Sequence, residues 1–600
     1  MNRTIASFIF VCLSFLVLAF VFPVGLYPFQ DESRDFFAFI AAVALVFFVL
    51  YNRSIKMAFP FFLVFLPLFA GALILTDLAS APGVDLSFNW YSLVFLFCTM
   101  IAIAIASLAR TYGPQFIAHN LALFLIAVFL LSAFFGLLRF YGVLGTFIPL
   151  ITEDGSRLMG PMGQPNLMAI LSALSLSAMV YLFRADRLGV KTAYAGAVLI
   201  FYVGALTASR SWYIAAFIAL VPLILDTIRG LLPKSTKPAT YGEDSRKVSA
   251  IAILVLFLIV SYGAPKLDAV IASSMIESGF LERVTAEEIY QRKSIAGSTG
   301  RLAEWSKVVL NLDKMDNILV GYGPGQYGTF SNQISVEESL RGNTKVWNHS
   351  HNIFINFFVE WGVVGFVLIV SFFGYVAFRA LRTEKTAPNI FLISVISIFV
   401  FHSLVEFSLW YLPFLAIFIA ALTLLDARKG IDAMSGSSRK IVSGILILVF
   451  LPLGFYVGKD IYTVIKVMYK DQPIFDDQLA LRDASRSSLV GHGAYSVRIL
   501  RFSPPASGIK YELEAIEQMV NWRPEPLYRL RHAVLLAAAG RTVESCEAIE
   551  QTIMLYPDTV TTLQEELAYL DAKGLVDASQ YFQCVGHGVE HWVEKSAAAQ

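Results

Sequence analysis

An all-α polytopic membrane fold is predicted by three properties of this 600-residue chain: 57% hydrophobic against 15% charged side chains, a mean hydropathy of +0.65, and apolar runs that recur from the N-terminus to about Tyr456. Each run is long enough for a helix to cross roughly 30 Å of hydrocarbon. They lie near 5–26, 35–51, 57–76, 91–109, 117–140, 166–184, 191–207, 211–228, 248–264, 352–378, 389–408, 410–426 and 440–458. The pattern predicts about thirteen transmembrane helices, nine within 1–264 and four within 352–458. A large loop, 265–351, precedes the tenth, and 459–600 forms a C-terminal region. The net charge of +1 points to no nucleic-acid partner.

Orientation follows from lysine and arginine, because basic connections stay in the cytoplasm. Arg3, Arg53 and Lys56, Arg110, Arg184 to Lys191, Arg229 to Lys247, Arg379 to Lys385 and Arg428 to Lys440 fall in every second connection. The intervening connections Asp31 to Asp35, Asp77 to Trp90 and Ile151 to Pro165 read as acidic or neutral. The N-terminus is therefore expected in the cytoplasm, with the loop 265–351 and the tail outside. No small-residue cleavage site follows the first run, which reads as a span rather than a signal peptide.

Cys12 and Cys98 fall inside predicted spans, where a thiol is a small apolar residue. Cys546 and Cys584 fall in the tail, and an oxidising compartment would allow them to form a disulfide. The tail is mixed polar and helical, punctuated by Pro504-Pro505, Pro524, Pro526 and Pro557. Glu525 to Asp558 reads as a helix, a turn at Gly540 and a second helix ending at Tyr556-Pro557. With alanine at its packing positions it is similar to a tetratricopeptide hairpin, so a helical domain that docks a protein or peptide is expected.

Nucleotide-binding, metalloprotease, redox and serine-hydrolase signatures are absent, as is an Asp-x-Asp pair, and no metal site is expected. Candidate chemistry lies instead in polar residues at the outer ends of the spans, where charge is costly unless it serves a site or finds a partner. Foremost is Trp347-Asn348-His349-Ser350-His351-Asn352, which holds two of only eight histidines where the long loop re-enters the membrane. An imidazole exchanges protons near neutral pH, and the same stretch supplies Asn and Ser to cap the apolar run from Ile353. Gly160-Pro161-Met162-Gly163-Gln164-Pro165-Asn166 reads as a tight turn offering the amides of Gln164 and Asn166. In Thr207-Ala208-Ser209-Arg210-Ser211, Arg210 breaks the basic-inside pattern, for which a bound anion is a reason.

Arg301 opens an amphipathic segment whose apolar residues 302, 305, 308, 309 and 312 make one face. Glu304 reads as its exposed partner. Gly321 to Gly325 reads as a turn. His402 and Glu406, four apart, are expected on one helical face, with Trp410-Tyr411 beginning the next span.

Taken in order, Gly-x-x-Gly-Gln-x-Asn, Thr-x-Ser-Arg, Arg-x-x-x-Trp, the Gly-x-Gly turn, His-Ser-His-Asn and Val405 to Tyr411 resemble the bacterial protein O-oligosaccharyltransferases of the PglL type. These are relatives of the O-antigen ligases and polymerases. The resemblance runs from about 160 to 412. It implies a multi-pass enzyme of the bacterial inner membrane, with its catalytic loop and C-terminus periplasmic. It also implies transfer of an oligosaccharide from an undecaprenyl-diphosphate carrier to a Ser or Thr hydroxyl of a periplasmic or pilin-like protein, with no cofactor beyond that donor.

On matching positions the resemblance implies that Arg210 and Arg301 hold the donor diphosphate and that His349 or His351 serves the acceptor. His351 is favoured because Asn352 follows it directly. Gln164, Asn166, Asn352, Glu406 and Tyr411 are supporting positions. Diphosphate is already a good leaving group, so the site needs cations and a base rather than ATP. An O-antigen ligase acting on lipid A core and an O-antigen polymerase share this chemistry. A transporter is the alternative from another class, but no internal repeat is evident and the polar residues gather outside the midplane.

Overall fold

The computed structural model describes residues 14–21, 32–79, 86–143, 157–231, 250–278, 299–315, 317–338, 346–426, 436–487, 490–501 and 508–598. Most of the first predicted span, the stretches 151–156, 279–298 and 339–345, most of the basic connection 229–247, and Cys12 and Pro504-Pro505 lie outside the described residues. Helices and turns make up the rest, with no strand among the described residues.

Among the described residues, eight helices are long and apolar enough to cross a membrane, falling at Arg34–Tyr51, Phe61–Leu78, Trp90–Tyr112, Pro114–Phe140, Pro165–Arg184, Arg210–Ile228, Ile251–Met275 and Ile353–Arg382. Shorter apolar helices, Val190–Leu206, Ala387–Ser403 and Leu412–Asp426, occupy the expected seventh, eleventh and twelfth spans. The thirteenth falls inside Gly436–Met468. Three boundaries differ clearly from expectation: the ninth span continues past 264 to Glu277, the eleventh stops at Ser403 instead of 408, and Gly436–Met468 runs through 458 without a break. Pro265 sits within its helix.

The chain forms two compact units. The first comprises Met1–Pro67, Val94–Gly297 and Ser371–Gly454; the second comprises Leu68–Leu93, Ser298–Val370 and Phe455–Gln600.

In the first unit, Pro165–Arg184 is central: every residue from Leu167 to Arg184 is buried. It packs against Pro114–Phe140, Val190–Leu206, Arg210–Leu231 and Ala387–Ser403. Its alanines and serines let neighbouring backbones come close, and Ser175 donates to the Leu125 carbonyl at 3.0 Å. Gly204 is needed where it stands, since a Cβ there would lie 2.4 Å from the buried Trp212 ring. Charges at the far end of this bundle are paired. Arg184 meets Asp226 at 2.8 Å, and Asp426 meets Arg379 at 3.0 Å while accepting from Tyr375 at 2.6 Å.

In the second unit, the helix Ile353–Arg382 is interrupted at Gly362, whose φ of 62° and ψ of −156° leave the helical region. There the chain pairs with residues 318–323. Tyr322 N–H donates to the Val359 carbonyl at 2.9 Å, Gly323 to Glu360 at 2.8 Å, and Val363 to Ile318 at 2.9 Å. The turn read at 321–325 is present, with positive φ at Gly321, Gly323 and Gly325.

The tail contains the expected hairpin, Pro526–Ala538 and Thr542–Leu555, joined around Gly540 at φ 73°. Its alanines pack inward: Ala533, Val534 and Ala537 meet Ile549 and Ile553. A further helix pair, Val560–Ala572 and Ala578–Ala598, closes this core with Leu563, Leu567, Tyr581 and Val585. Cys546 and Cys584 form a disulfide between Thr542–Leu555 and Ala578–Ala598, Cα to Cα 5.3 Å.

Candidate active site

The polar residues singled out in the sequence fall into two clusters, one in each unit. In the first unit, Gln164 occupies the cap position of Pro165–Arg184 with extended backbone and no side-chain cap bond. Asn166, the second residue of that helix, donates from Nδ2 to Glu406 Oε1 at 2.5 Å and accepts at Oδ1 from Ser209 Oγ at 2.8 Å. Arg157 reaches the same Oδ1 at 3.3 Å and donates from Nε to the Thr207 carbonyl at 2.8 Å. Three motifs distant in sequence thus converge.

The bend at Thr207–Arg210 is tight, with Ala208 at φ 48° and Thr207 Oγ1 accepting from Ser209 N–H at 3.3 Å. It delivers Arg210, exposed, to the first position of Arg210–Leu231, next to a buried hydroxyl pair, Ser209 and Ser211, 2.8 Å apart. The loop around Gly160 is gripped by two more arginines. Arg34 donates to the Pro161 carbonyl at 3.1 Å and Arg139 to that of Gly160 at 3.3 Å. The connections read as acidic or neutral therefore carry Arg34 and Arg157. These residues were visible in the sequence but outweighed there by neighbouring carboxylates.

His402 and Glu406 do not share a helical face. Ala387–Ser403 ends before Glu406, and the chain turns so that Glu406 N–H donates to the His402 carbonyl at 2.7 Å. His402 is buried, its Nδ1 3.1 Å from Ser408 Oγ. Tyr411 is half-buried beside Phe407, ring centroids 5.7 Å apart, and the next helix begins one residue later at Leu412.

In the second unit, Arg301 lies in the first turn of Thr299–Leu310 and is half-buried. Residues 301 and 305 share a helical face. Trp305 Nε1 donates to the Ser350 carbonyl at 2.8 Å, and a Cβ on Gly300 would sit 3.3 Å from the Trp347 ring, so this face is turned to the histidine segment. The His349 and His351 rings stand edge to face, centroids 4.1 Å apart, with Trp347 4.9 Å from His351. His351 has φ 53°, a left-handed conformation unusual for a residue with a Cβ.

That conformation is fixed on both sides. The Ser350 hydroxyl donates to the Asn352 carbonyl at 2.7 Å, and Ser350 N–H donates to Asn356 Oδ1 at 3.2 Å. Asn352 Oδ1 caps the next helix, accepting from Phe354 and Ile355 at 3.0 and 3.3 Å. Capping and imidazole presentation are achieved by the same six residues. Beneath them, Asn356 Nδ2 donates to the buried Glu360 at 2.9 Å, and Glu360 also accepts from Tyr91 at 2.8 Å and Gly325 N–H at 2.9 Å.

Glu304 is not an exposed partner of Arg301. It is buried, 2.8 Å from the equally buried Lys307, and accepts from Ser331 at 2.7 Å and Tyr327 at 3.2 Å. Burial and the Glu304 carboxylate push the Tyr327 hydroxyl well above its usual range. The helix therefore faces inward with Glu304, Lys307 and Val308, while Leu302 and Val309 are exposed, so the five apolar positions do not form one covered face. Hydrophobic periodicity missed this because the inward stripe is ionic.

Electrostatics favour an uncharged imidazole. Burial, then the His351 ring and the positive charges of Arg523 and Arg301, hold His349 well below the usual histidine range, against a backbone hydrogen bond that raises it. No cluster of three or more metal-ligating side chains occurs among the described residues.

Fold and site together define a multi-pass membrane protein that gathers arginine, imidazole and amide groups at helix ends. Residues 195–370 match the family described as O-antigen ligase, and residues 390–567 match that described as virulence factor membrane-bound polymerase, C-terminal. The first match takes in Arg210, Arg301, His349, His351 and Asn352; the second takes in Glu406, Tyr411 and much of the tail. Both support the O-antigen ligase and polymerase superfamily, membrane enzymes that transfer glycosyl groups from lipid-linked sugars. No curated protein matches the chain significantly.

Proposed function

We propose that the chain is a protein O-oligosaccharyltransferase, moving a glycan from an undecaprenyl-diphosphate carrier to a Ser or Thr hydroxyl of a periplasmic or pilin-like protein. The observation that carries the chemistry is the bond from Trp305 to Ser350, which holds the helix of Arg301 against the histidine pair. Arg210 and Arg301 bind diphosphate oxygens, with planar guanidinium forks suited to them. The acceptor oxygen attacks the anomeric carbon as the bond from that carbon to the diphosphate breaks, inverting the centre. The bonding electrons leave with the diphosphate, and the hydroxyl proton passes to His351, or to His349 beside it. Gln164, Asn166, Asn352, Glu406 and Tyr411 are supporting positions, and no cofactor takes part beyond the lipid-linked donor.

The protein acceptor is supported by the tail, a disulfide-linked helical domain suited to docking a polypeptide. The two family matches favour a second reading, a ligase or polymerase with lipid-linked saccharide as acceptor. The tail and the loop carrying the histidines face the periplasm in either case, with the N-terminus cytoplasmic, so reporters fused after Trp347 and Gln600 should both appear outside. Intact-mass spectrometry of periplasmic and pilus proteins, with and without the gene, tests the acceptor. Loss of a glycan mass from a protein, with lipopolysaccharide unchanged, is expected; altered lipopolysaccharide with no protein change overturns the protein reading.

A further inference from the structure

The histidine segment hangs from two buried carboxylates, one at each end, and each suspension passes through a single intermediary. At the first end, Trp347 N–H donates to Ser331 Oγ at 2.9 Å and the Ser331 hydroxyl donates to Glu304 Oε1 at 2.7 Å. At the second, Ser350 N–H donates to Asn356 Oδ1 at 3.2 Å and Asn356 Nδ2 donates to Glu360 Oε1 at 2.9 Å. Ser331, Glu304, Asn356 and Glu360 are all buried. Both carboxylates are themselves held in place. Glu304 is paired with Lys307, whose Nζ donates to Ser335 Oγ at 2.8 Å, and Glu360 accepts from the Tyr91 hydroxyl and Gly325 N–H. The two tied amides, of Trp347 and Ser350, bracket His349, and His351 follows in its left-handed conformation.

We propose that Ser331 and Asn356 are positioning residues of the transfer reaction, setting the place of the His349–His351 pair against the helix that carries Arg301. This rests on the proton-transfer reading of the histidines. A segment fastened only by its own local bonds can shift as a body, whereas this one is tied at both ends to side chains on other helices, and an ionised carboxylate is the stronger acceptor for each tie. The first tie also sets the register between donor and base. Arg301, Glu304 and Trp305 share Thr299–Leu310, Glu304 reaching Trp347 through Ser331 and Trp305 donating to the Ser350 carbonyl. The group that binds diphosphate and the segment that takes the proton are therefore referred to one helix. Such a frame acts on the rate of the bound complex, while donor affinity is left to the arginines; displacing a catalytic group by about 1 Å costs up to roughly 10²-fold.

Single-turnover transfer by the full chain in nanodiscs, with extracted lipid-linked glycan and the acceptor that the mass comparison identifies, separates the rate at saturating donor from the donor concentration at half-saturation. Thermal unfolding of each variant accompanies the assay, and only folded protein enters the comparison. Ser331→Ala removes one tie and should lower the saturated rate about 10- to 100-fold, with half-saturation within about twofold of wild type. Asn356→Asp keeps the acceptor for Ser350 N–H but turns a second carboxylate on Glu360, and it should lose as much. Adding Glu360→Gln to that variant reverses the bond: the introduced amide donates to the introduced carboxylate, and its carbonyl still accepts from Tyr91 and Gly325. The double variant should therefore recover most of the saturated rate. A wild-type saturated rate in Ser331→Ala or in Asn356→Asp overturns the proposal, as does a loss that falls on half-saturation instead of rate, or a folded double variant no faster than Asn356→Asp alone. Normal transfer by a His349→Ala, His351→Ala double variant would instead show that the reading of the histidines beneath it has failed.

Discussion

Asn166 and Glu406, separated by 240 positions in the sequence, are joined side chain to side chain at 2.5 Å. The buried carboxylate takes a proton donor from an amide that is itself held by Ser209. Asn166→Ala removes that donor and should destabilise the protein by about 1–3 kcal/mol, the usual effect of stranding a buried polar group. Asn166→Asp, which sets two carboxylates in contact, should be worse. Thermal unfolding in detergent at pH 7 measures both, and an Asp variant as stable as wild type would contradict the bond between Asn166 and Glu406.

Arg210→Ala and Arg301→Ala should each lower kcat/KM for the lipid-linked donor by about 10- to 100-fold, since a charge-assisted hydrogen bond contributes roughly 1.5–3 kcal/mol. Lysine at either position should recover only part, because a point charge does not reproduce the fork. The assay is transfer at varied donor concentration in purified nanodiscs. Unaltered kinetics in both alanine variants would remove these arginines from the mechanism.

His351→Ala should reduce single-turnover transfer by about 10²–10⁴-fold with donor binding retained, as for loss of a general base. His349→Ala should approach this if that ring orients its neighbour. An acid limb well below the ordinary histidine range marks His349 as the proton acceptor, its affinity for protons lowered by burial, by His351 and by two arginines. The same shift has a stability sign: the unfolded chain binds this proton more readily, so folded stability falls as pH drops through the ordinary histidine range towards the lowered value.

Glu304→Ala leaves Lys307 buried without its carboxylate and should cost about 3–5 kcal/mol. Replacing both with Leu and Met should recover most of that loss, because the ion pair itself adds little over apolar packing. The comparison of single and double variants by thermal unfolding is the measurement. A Glu304→Ala variant as stable as wild type would show that the pair is not buried as described.

The spans were legible because a run of apolar residues is a one-dimensional signal, and so was the tail hairpin, where Gly540 and Pro557 punctuate two helices. The role of Asn352 as a cap was equally local. What the sequence concealed was pairing at a distance. Glu304 sits three residues from Arg301 and looks like its partner, yet the fold turns it inward to Lys307, Tyr327 and Ser331. Glu406 was misplaced because its four-residue spacing from His402 holds only if the helix continues, and it stops at Ser403. Glu525 is far from Asn348 in the chain, and the hydrogen bond between them carried no signal in the sequence.

The pairing of 318–323 with 359–364 binds two separate stretches of the gene into one constraint. A Cβ on Gly362 would lie 2.3 Å from the Leu319 carbonyl carbon, and a Cβ on Gly321 2.5 Å from the Val359 carbonyl oxygen. Each obstacle is main chain, which every amino acid shares, and each glycine also holds a positive φ. No change of side chain on the facing segment can make room. Selection for revertants of Gly362→Ala should therefore return glycine at 362 and no suppressor at 318–323, so that drift at either stretch is closed off by the other.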